Sequence, residues 1–311
     1  KDAQQAETVF EWSEELNLPG YRVPGRPNGK QIREAVELLV NAKRPVFLLG
    51  GGVLRSRASE EVRALVEAAN APFVTTLMAR GALPDSHPQH LGMPGMHGDV
   101  AAVASLQRSD LIIAIGARFD DRVTGRLDSF APAAKVVHAD IDPAEISKNR
   151  VADVPIVGDG ADVARALLAA LTDRLADGDD RDYEAWWQLM NGLRENYPLG
   201  WTATADGYTA PQHVISRISA ISGPESIFVA GVGQHQMWSS QFIDFEEPYS
   251  WINSGGLGTM GYSLPAAMGA KVGQPGKVVW SIDGDGCFQM TNQELATCVL
   301  NDIPIKVAII N

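Results

Sequence analysis

The chain has 311 residues, enough for about two domains of ordinary size. Its 26 Lys and Arg against 38 Asp and Glu leave a net charge of −12, which argues against binding along a nucleic-acid phosphate backbone. No apolar run reaches the roughly 18 residues of a membrane span, the cysteines Cys287 and Cys298 form no disulfide framework or CxxC pair, and the six histidines show no metal-ligand spacing.

Residues 1–29 are of mixed polarity and end in LPGYRVPGRPNG, whose prolines and glycines predict an extended linker. The opening KDAQQAETVFEW has no apolar stretch of a signal peptide, and a cytoplasmic protein is expected. A helix is predicted over KQIREAVELLVNA, where Ile32, Ala35, Val36, Leu39 and Val40 recur at helical spacing. An alternation follows. The strands are PVFLLG (45–50), PFVTTL (72–77), LIIAIG (111–116), KVVHADID (135–142) and VPIVGD (154–159). The helices are SEEVRALVEAAN with Ser59 as its N-cap, DVAAVASLQRS, and DVARALLAALTDRLA. Continuous apolar strands alternating with helices predict a doubly wound parallel sheet over 30–175, with ligands beyond the C-terminal strand ends.

The stretch 176–207 begins acidic, turns aromatic, and is read as a second linker. A second α/β block spans 208–311. It contains helix TAPQHVISRISAIS with Thr209 as N-cap, strand SIFVAGVGQH (226–235), WINSGGLGTMG (251–261), helix SLPAAMGAKVG, and the terminal SIDGDGCFQMTNQELATCVLNDIPIKVAIIN. In that last run a strand delivers Asp285 into a turn between Gly284 and Gly286. Small neighbours let a backbone approach an anion, a carboxylate can hold a hard cation such as Mg²⁺, and a helix N-terminus favours phosphate. Asn311 ends the next apolar strand. Two adjacent parallel strands would bring the two oxygen-bearing side chains together.

This spacing resembles the GDG…NN signature of thiamine diphosphate enzymes, read as far as its first Asn. In that family the second Asn is the metal ligand, so the resemblance implies Asp285 as one ligand of Mg²⁺ with its usual partner one position beyond Asn311. GVGQHQMW implies Gly233, Gln234 and His235 around the diphosphate, with Gly284, Gly286 and Cys287. SGGLGTMG implies Gly258 and Met260 against the cofactor's aminopyrimidine.

The first block narrows the resemblance. VTTLMARGALPDSH, LGMPGMHGDV, IGARFDDRVTG and HADIDPAEI are similar to the middle domain of acetolactate synthase (acetohydroxyacid synthase) catalytic subunits, and the likeness runs from the linker to Asn311. It implies a Rossmann-like, FAD-binding middle domain, followed by part of a diphosphate-binding domain. The implied FAD contacts are Gly51 and Gly52; Thr76, Leu77 and Met78; Met96, His97 and Gly98; Gly116, Ala117, Arg118 and Asp120; Asp140 and Ile141; and Gly158 with Asp159. Asp121 and Arg122 would stand at the mouth of the substrate channel.

The activity implied is decarboxylation of pyruvate and carboligation to a second 2-keto acid, in branched-chain amino acid biosynthesis. The family's catalytic Glu is expected upstream of Lys1, so these residues are expected to be a fragment, inactive alone. The intact enzyme would be a homodimer or homotetramer with a small regulatory subunit. Another thiamine diphosphate enzyme (a pyruvate oxidase, glyoxylate carboligase or 2-keto acid decarboxylase) and a non-catalytic nucleotide-binding module are the alternatives.

Overall fold

The computed structural model describes residues 5–7, 9, 11, 25–176, 178–203, 205 and 207–311, so most of the expected linker 1–29 lies outside the described residues. Asn28 starts helix α1 (Gly29–Asn41) by accepting from the Lys30 N–H at 2.9 Å. The five apolar positions of this helix are all buried. There follow strand β1 (Pro45–Leu49), the short helix α2 (Gly51–Arg55), helix α3 (Ser59–Ala69) and strand β2 (Phe73–Thr75). Helix α4 (Val100–Arg108), strand β3 (Leu111–Ile115) and one-turn α5 (Asp121–Thr124) come next. Strands β4 (Lys135–Asp140) and β5 (Val154–Val157) and helix α6 (Gly160–Leu175) complete the alternation.

The five strands form one parallel sheet in the order β2-β1-β3-β4-β5. Every residue of β1 and β3 is buried, which is why both read as unbroken apolar runs. Helix α6 packs on α1 and α3, while α4 packs on a further helix, α7 (Glu184–Asn196).

That last helix corrects the reading of 176–207 as linker. Trp186 and Met190 of α7 are buried in the first core. The Trp186 indole N–H donates to the Pro45 carbonyl at 3.0 Å, and the Tyr183 hydroxyl to the Leu39 carbonyl at 3.1 Å. The two expected N-caps are also corrected. Ser59 already sits inside α3, with Ala58 at the cap and the serine hydroxyl buried without a partner. At Thr209 the cap falls one residue later, on Ala210, because Pro211 takes the first helical position.

The second unit comprises helix α8 (Pro211–Ser222), strand β6 (Ile227–Ala230), helix α9 (Gln234–Phe242), strand β7 (Trp251–Asn253), helix α10 (Ser263–Gly273) and strand β8 (Val279–Asp283). It ends in helices α11 (Asp285–Thr291) and α12 (Leu295–Leu300) and strand β9 (Lys306–Ile309). These strands form a parallel sheet in the order β7-β6-β8-β9. Strand β6 is shorter than the predicted 226–235: Gly233, at φ +151°, turns the chain and Gln234 onward is helical. Among the described residues, no helix is long and apolar enough to cross a membrane.

The two units dock through a buried charge network. Arg80 holds Asp85 with two hydrogen bonds, at 2.8 and 2.6 Å, and its guanidinium lies 5.2 Å from the centre of the Phe245 ring. Asp85 in turn accepts from the Phe245 N–H at 2.9 Å and donates its own N–H to the Phe245 carbonyl at 3.0 Å. The Trp251 indole adds a bond to the Leu77 carbonyl, and Tyr249 one to the Leu54 carbonyl.

Burial pushes the Asp85 carboxyl up to about 6, and Arg80 is the chief pull the other way. A folded-state pKa above the unfolded one means this group favours folding most at acid pH and loses that contribution as pH rises through about 6. Arg80→Met removes the counter-pull and leaves a buried carboxylate unpaired. Above neutral pH the variant is expected to lose about 3–5 kcal/mol of stability. The deficit should shrink as Asp85 takes up its proton in acid. Urea midpoints across pH check both the loss and its direction.

Candidate active site

Parallel pairing puts the C-terminal ends of β1–β5 on one rim. Two adjoining cavities of about 270 and 320 Å³ lie there and share Gly52, Arg55, Gly116 and Arg118. The first is walled by Gly50–Gly52, Thr76–Met78 and Gly116–Asp120, and by Gly255 and Gly256 from the second unit. The second takes Asp140, Ile141, Gly158 and Asp159.

The structure therefore gathers most of the residues expected around FAD. It places Met96, His97 and Gly98 on neither cavity wall. Met96 is largely exposed. Both ring nitrogens of His97 are buried without a partner, and its carbonyl accepts from Gln241 at 2.7 Å. Arg122 lines the first cavity and Asp121 does not; the two are exposed and pair with each other at 2.9 Å. Arg55, at the end of α2, and Gly255 and Gly256, from a distant segment, were not singled out in the sequence.

Several of these residues already have local duties. Asp159 caps α6 by accepting from the Ala161 and Asp162 N–H groups, and Asp140 accepts from the Asp142 N–H at 2.9 Å. The Arg118 guanidinium pairs with Asp120 at 2.9 Å, and both stay well exposed to the cavity mouth. The strand-end glycines serve the protein's own packing. A Cβ on Gly52 would lie 2.6 Å from the Gly116 Cα, and one on Gly116, at φ +61°, 2.5 Å from the Gly52 Cα. The turns after β1 and β3 press backbone on backbone there, so the fold itself requires glycine at both positions.

On the second sheet, β8 pairs with β9 so that Asp283 stands opposite Ile309. The register carries Asp285 and Asn311 to one cavity of about 310 Å³, shared with Gly233, Gln234, His235, Met260, Gly284, Gly286 and Cys287. Gly258 lies outside its lining and forms a turn at φ +68°. Asp285 is exposed. The first turns of α9 and α11 present backbone N–H groups to this space, and two side-chain oxygens stand beside them. The donor set fits a diphosphate with a hard divalent cation.

One feature had no sequence signal beyond a carboxylate ending an apolar strand. Asp283 is fully buried at the floor of the cavity. One of its oxygens accepts from the hydroxyls of Ser263 and Ser281. The other, Oδ1, has no partner and lies 4.0 Å from Nε2 of His235, which also has none. Burial raises the Asp283 pKa against the two serine hydroxyls, and holds His235 down at about 4 against the pull of Asp285. His235, Asp283 and Cys287 bring one ligand-type atom each within 4.8 Å. The Cys287 thiol, however, already donates to the Val232 carbonyl at 3.1 Å and takes the Val232 N–H at 3.4 Å.

Comparison with known proteins decides the family. Residues 32–167 match the thiamine pyrophosphate enzyme central domain, and residues 231–311 match the C-terminal TPP binding domain of the same enzymes. The chain belongs to the thiamine pyrophosphate enzymes. Over all 311 residues it is 60% identical to the acetolactate synthase large subunit IlvB1 of Mycobacterium tuberculosis, covering 50% of that protein. It is 55% identical to an acetolactate synthase large subunit of Corynebacterium glutamicum, covering 49%. Against acetolactate synthase 2, chloroplastic, of Nicotiana tabacum the identity is 42%, with 46% of that protein covered. The chain thus spans about half the length of the curated relatives it matches.

Gly116→Ala tests the backbone contact. It combines overpacking with a left-handed φ and should cost about 2–4 kcal/mol. Gly256→Ala, where a Cβ meets nothing within 4 Å, should leave the denaturation midpoint nearly unchanged.

Proposed function

We propose that these domains are the FAD-binding and diphosphate-binding parts of an acetolactate synthase catalytic subunit. It would decarboxylate pyruvate and join the two-carbon remainder to a second 2-keto acid, giving 2-acetolactate or 2-aceto-2-hydroxybutyrate for branched-chain amino acids. The observation that carries the reading is the meeting of Asp285, Asn311 and the first turn of α9 in one cavity. The similarity to named acetolactate synthases along the whole chain supports the choice within the family.

In this reading Asp285 holds Mg²⁺. The N–H groups of Gly233 to His235 and of Gly286 and Cys287 bind the diphosphate oxygens, and Met260 supports the cofactor's ring. Bound thiamine diphosphate supplies the electron sink for decarboxylation. The protein orients it. FAD would lie extended across the two adjoining cavities of the first unit. Arg118 offers a planar fork to its phosphates, and Asp140 an acceptor for ribose hydroxyls. Gly255 and Gly256 bring the second unit against that cavity. Arg122, exposed on the wall of the first cavity, would meet the carboxylate of an incoming keto acid. A homodimer or homotetramer with a small regulatory subunit completes the proposal, the latter supported by the words "large subunit" in relatives' names.

Binding tests the reading directly. Saturating FAD is expected to raise the melting temperature and quench flavin fluorescence, and Arg118→Ala to weaken FAD on the order of tenfold. Thiamine diphosphate should stabilise the chain only with Mg²⁺, and Asp285→Asn should remove that dependence. In the full-length enzyme, pyruvate with both cofactors should yield 2-acetolactate. Failure of both ligands to bind, with no acetolactate from the full-length enzyme, would overturn the proposal.

A further inference from the structure

We propose that Asp283 is the positioning residue for His235: it accepts a hydrogen bond from Nε2–H, fixes the imidazole in that tautomer, and turns Nδ1 toward the diphosphate cavity. The inference rests on the diphosphate reading of that cavity for its consequence, though not for its geometry.

Three observations carry it. Nε2 of His235 and Oδ1 of Asp283 are both buried, both without a partner, and 4.0 Å apart. Unpaired buried polar atoms are costly, and two facing each other across one ångström of slack are a hydrogen bond left open. Second, Asp283 is clamped. The hydroxyls of Ser263 and Ser281, both fully buried, hold its other oxygen, so Oδ1 has one direction in which to point. Gly231 keeps that direction free, since a Cβ there would fall 2.3 Å from Oδ1. Third, the outer edge of the imidazole is at the cavity wall. A Cβ on Gly284 would lie 3.0 Å from Nδ1 of His235, and one on Gly233 3.1 Å from the same nitrogen. Both glycines line the cavity with His235 itself.

The ring thus has an inner nitrogen that donates to a fixed carboxyl and an outer, unprotonated nitrogen that offers the cavity an acceptor. A carboxylate behind a histidine sets which nitrogen carries the proton and stops the ring from rotating, as it does behind histidines that hold metals. Asp283 touches no ligand in this arrangement. It acts through His235.

The tautomer can be read without any ligand. In a long-range ¹H–¹⁵N spectrum of the chain, His235 is identified among the six histidines by its loss in His235→Asn. It is expected to be a single Nε2–H species. Asp283→Leu should give a mixture of tautomers. Asp283→Asn, whose amide oxygen stays on the two serine hydroxyls and whose NH₂ then faces Nε2, should turn the ring to a single Nδ1–H form, and shows that the fold is not what the leucine variant lost. Inorganic pyrophosphate with Mg²⁺, followed by calorimetry, gives the functional arm. Asp283→Asn, which puts the proton on Nδ1 and so a donor toward the anion, should tighten it on the order of tenfold, with Asp283→Leu between that and the parent. An unchanged tautomer in folded Asp283→Leu overturns the positioning role. A tautomer that shifts as expected while the parent chain binds no pyrophosphate leaves the positioning standing and sinks the diphosphate reading instead.

Discussion

Parallel pairing is the constraint on which the rest depends. Strands β1 and β3 are buried along their whole length, so they have no position at which a polar group can be kept without a partner. Chemistry is pushed to the strand ends, and parallel order collects those ends on one rim. The same logic runs in the second sheet. The alignment of Asp283 with Ile309 is what carries Asp285 and Asn311, each two residues further on, into a common cavity. A single-residue slip between β8 and β9 would send alternate side chains to the wrong face and separate those two oxygens.

The second unit reaches the rim of the first sheet only because the units are docked. The Arg80–Asp85 pair does this with both charges largely out of water and with backbone bonds running in both directions between Asp85 and Phe245. Buried ion pairs contribute little net stability but tolerate few alternative geometries. Here that intolerance is useful. It fixes Gly255 and Gly256 as a wall of a cavity whose other walls belong to the first sheet. His90 and Thr75 continue the network inward, the imidazole lying 3.1 Å from the threonine hydroxyl, so the docking contact is rooted in strand β2 itself.

Much of this was legible in the sequence because it is local. Apolar runs located seven of the nine described strands within a residue or two, and helical spacing named the buried face of α1 residue by residue. The GDG turn and the distance to Asn311 pointed to the second cavity. What was not legible depends on contacts between distant segments. Helix α7 shows an apolar face, but nothing in its sequence says that Trp186 will bond to Pro45. Ser59 looks like a cap until the preceding turn shows that the helix has already begun. The glycines after β1 give no sign in sequence that the tightest neighbour of Gly50 and Gly52 is the backbone of Gly116, more than sixty positions on. Asp283 is the clearest case. Its meaning lies in Ser263, Ser281 and His235, none of them adjacent in sequence.

The local irregularities of the fold support the same placement of the site. Phe119 is a bulky residue at φ +50°, a conformation that costs energy and persists only where its surroundings over-determine it. It is held edge-on by Phe130 and His138, and His138 donates from Nε2 to the Ala117 carbonyl at 2.8 Å. The effect is to stiffen the turn that presents Arg118 and Asp120 to the first cavity. Gly116, just before it, is also at positive φ, and so is Gly233 at the second cavity. Positive φ alone does not mark a site, since Asn70 adopts it merely to end α3. Gly116, Phe119 and Gly233 differ from it in lining the two cavities. A rim built this way holds its donors in place before any ligand arrives, so less of the binding energy is lost to ordering them.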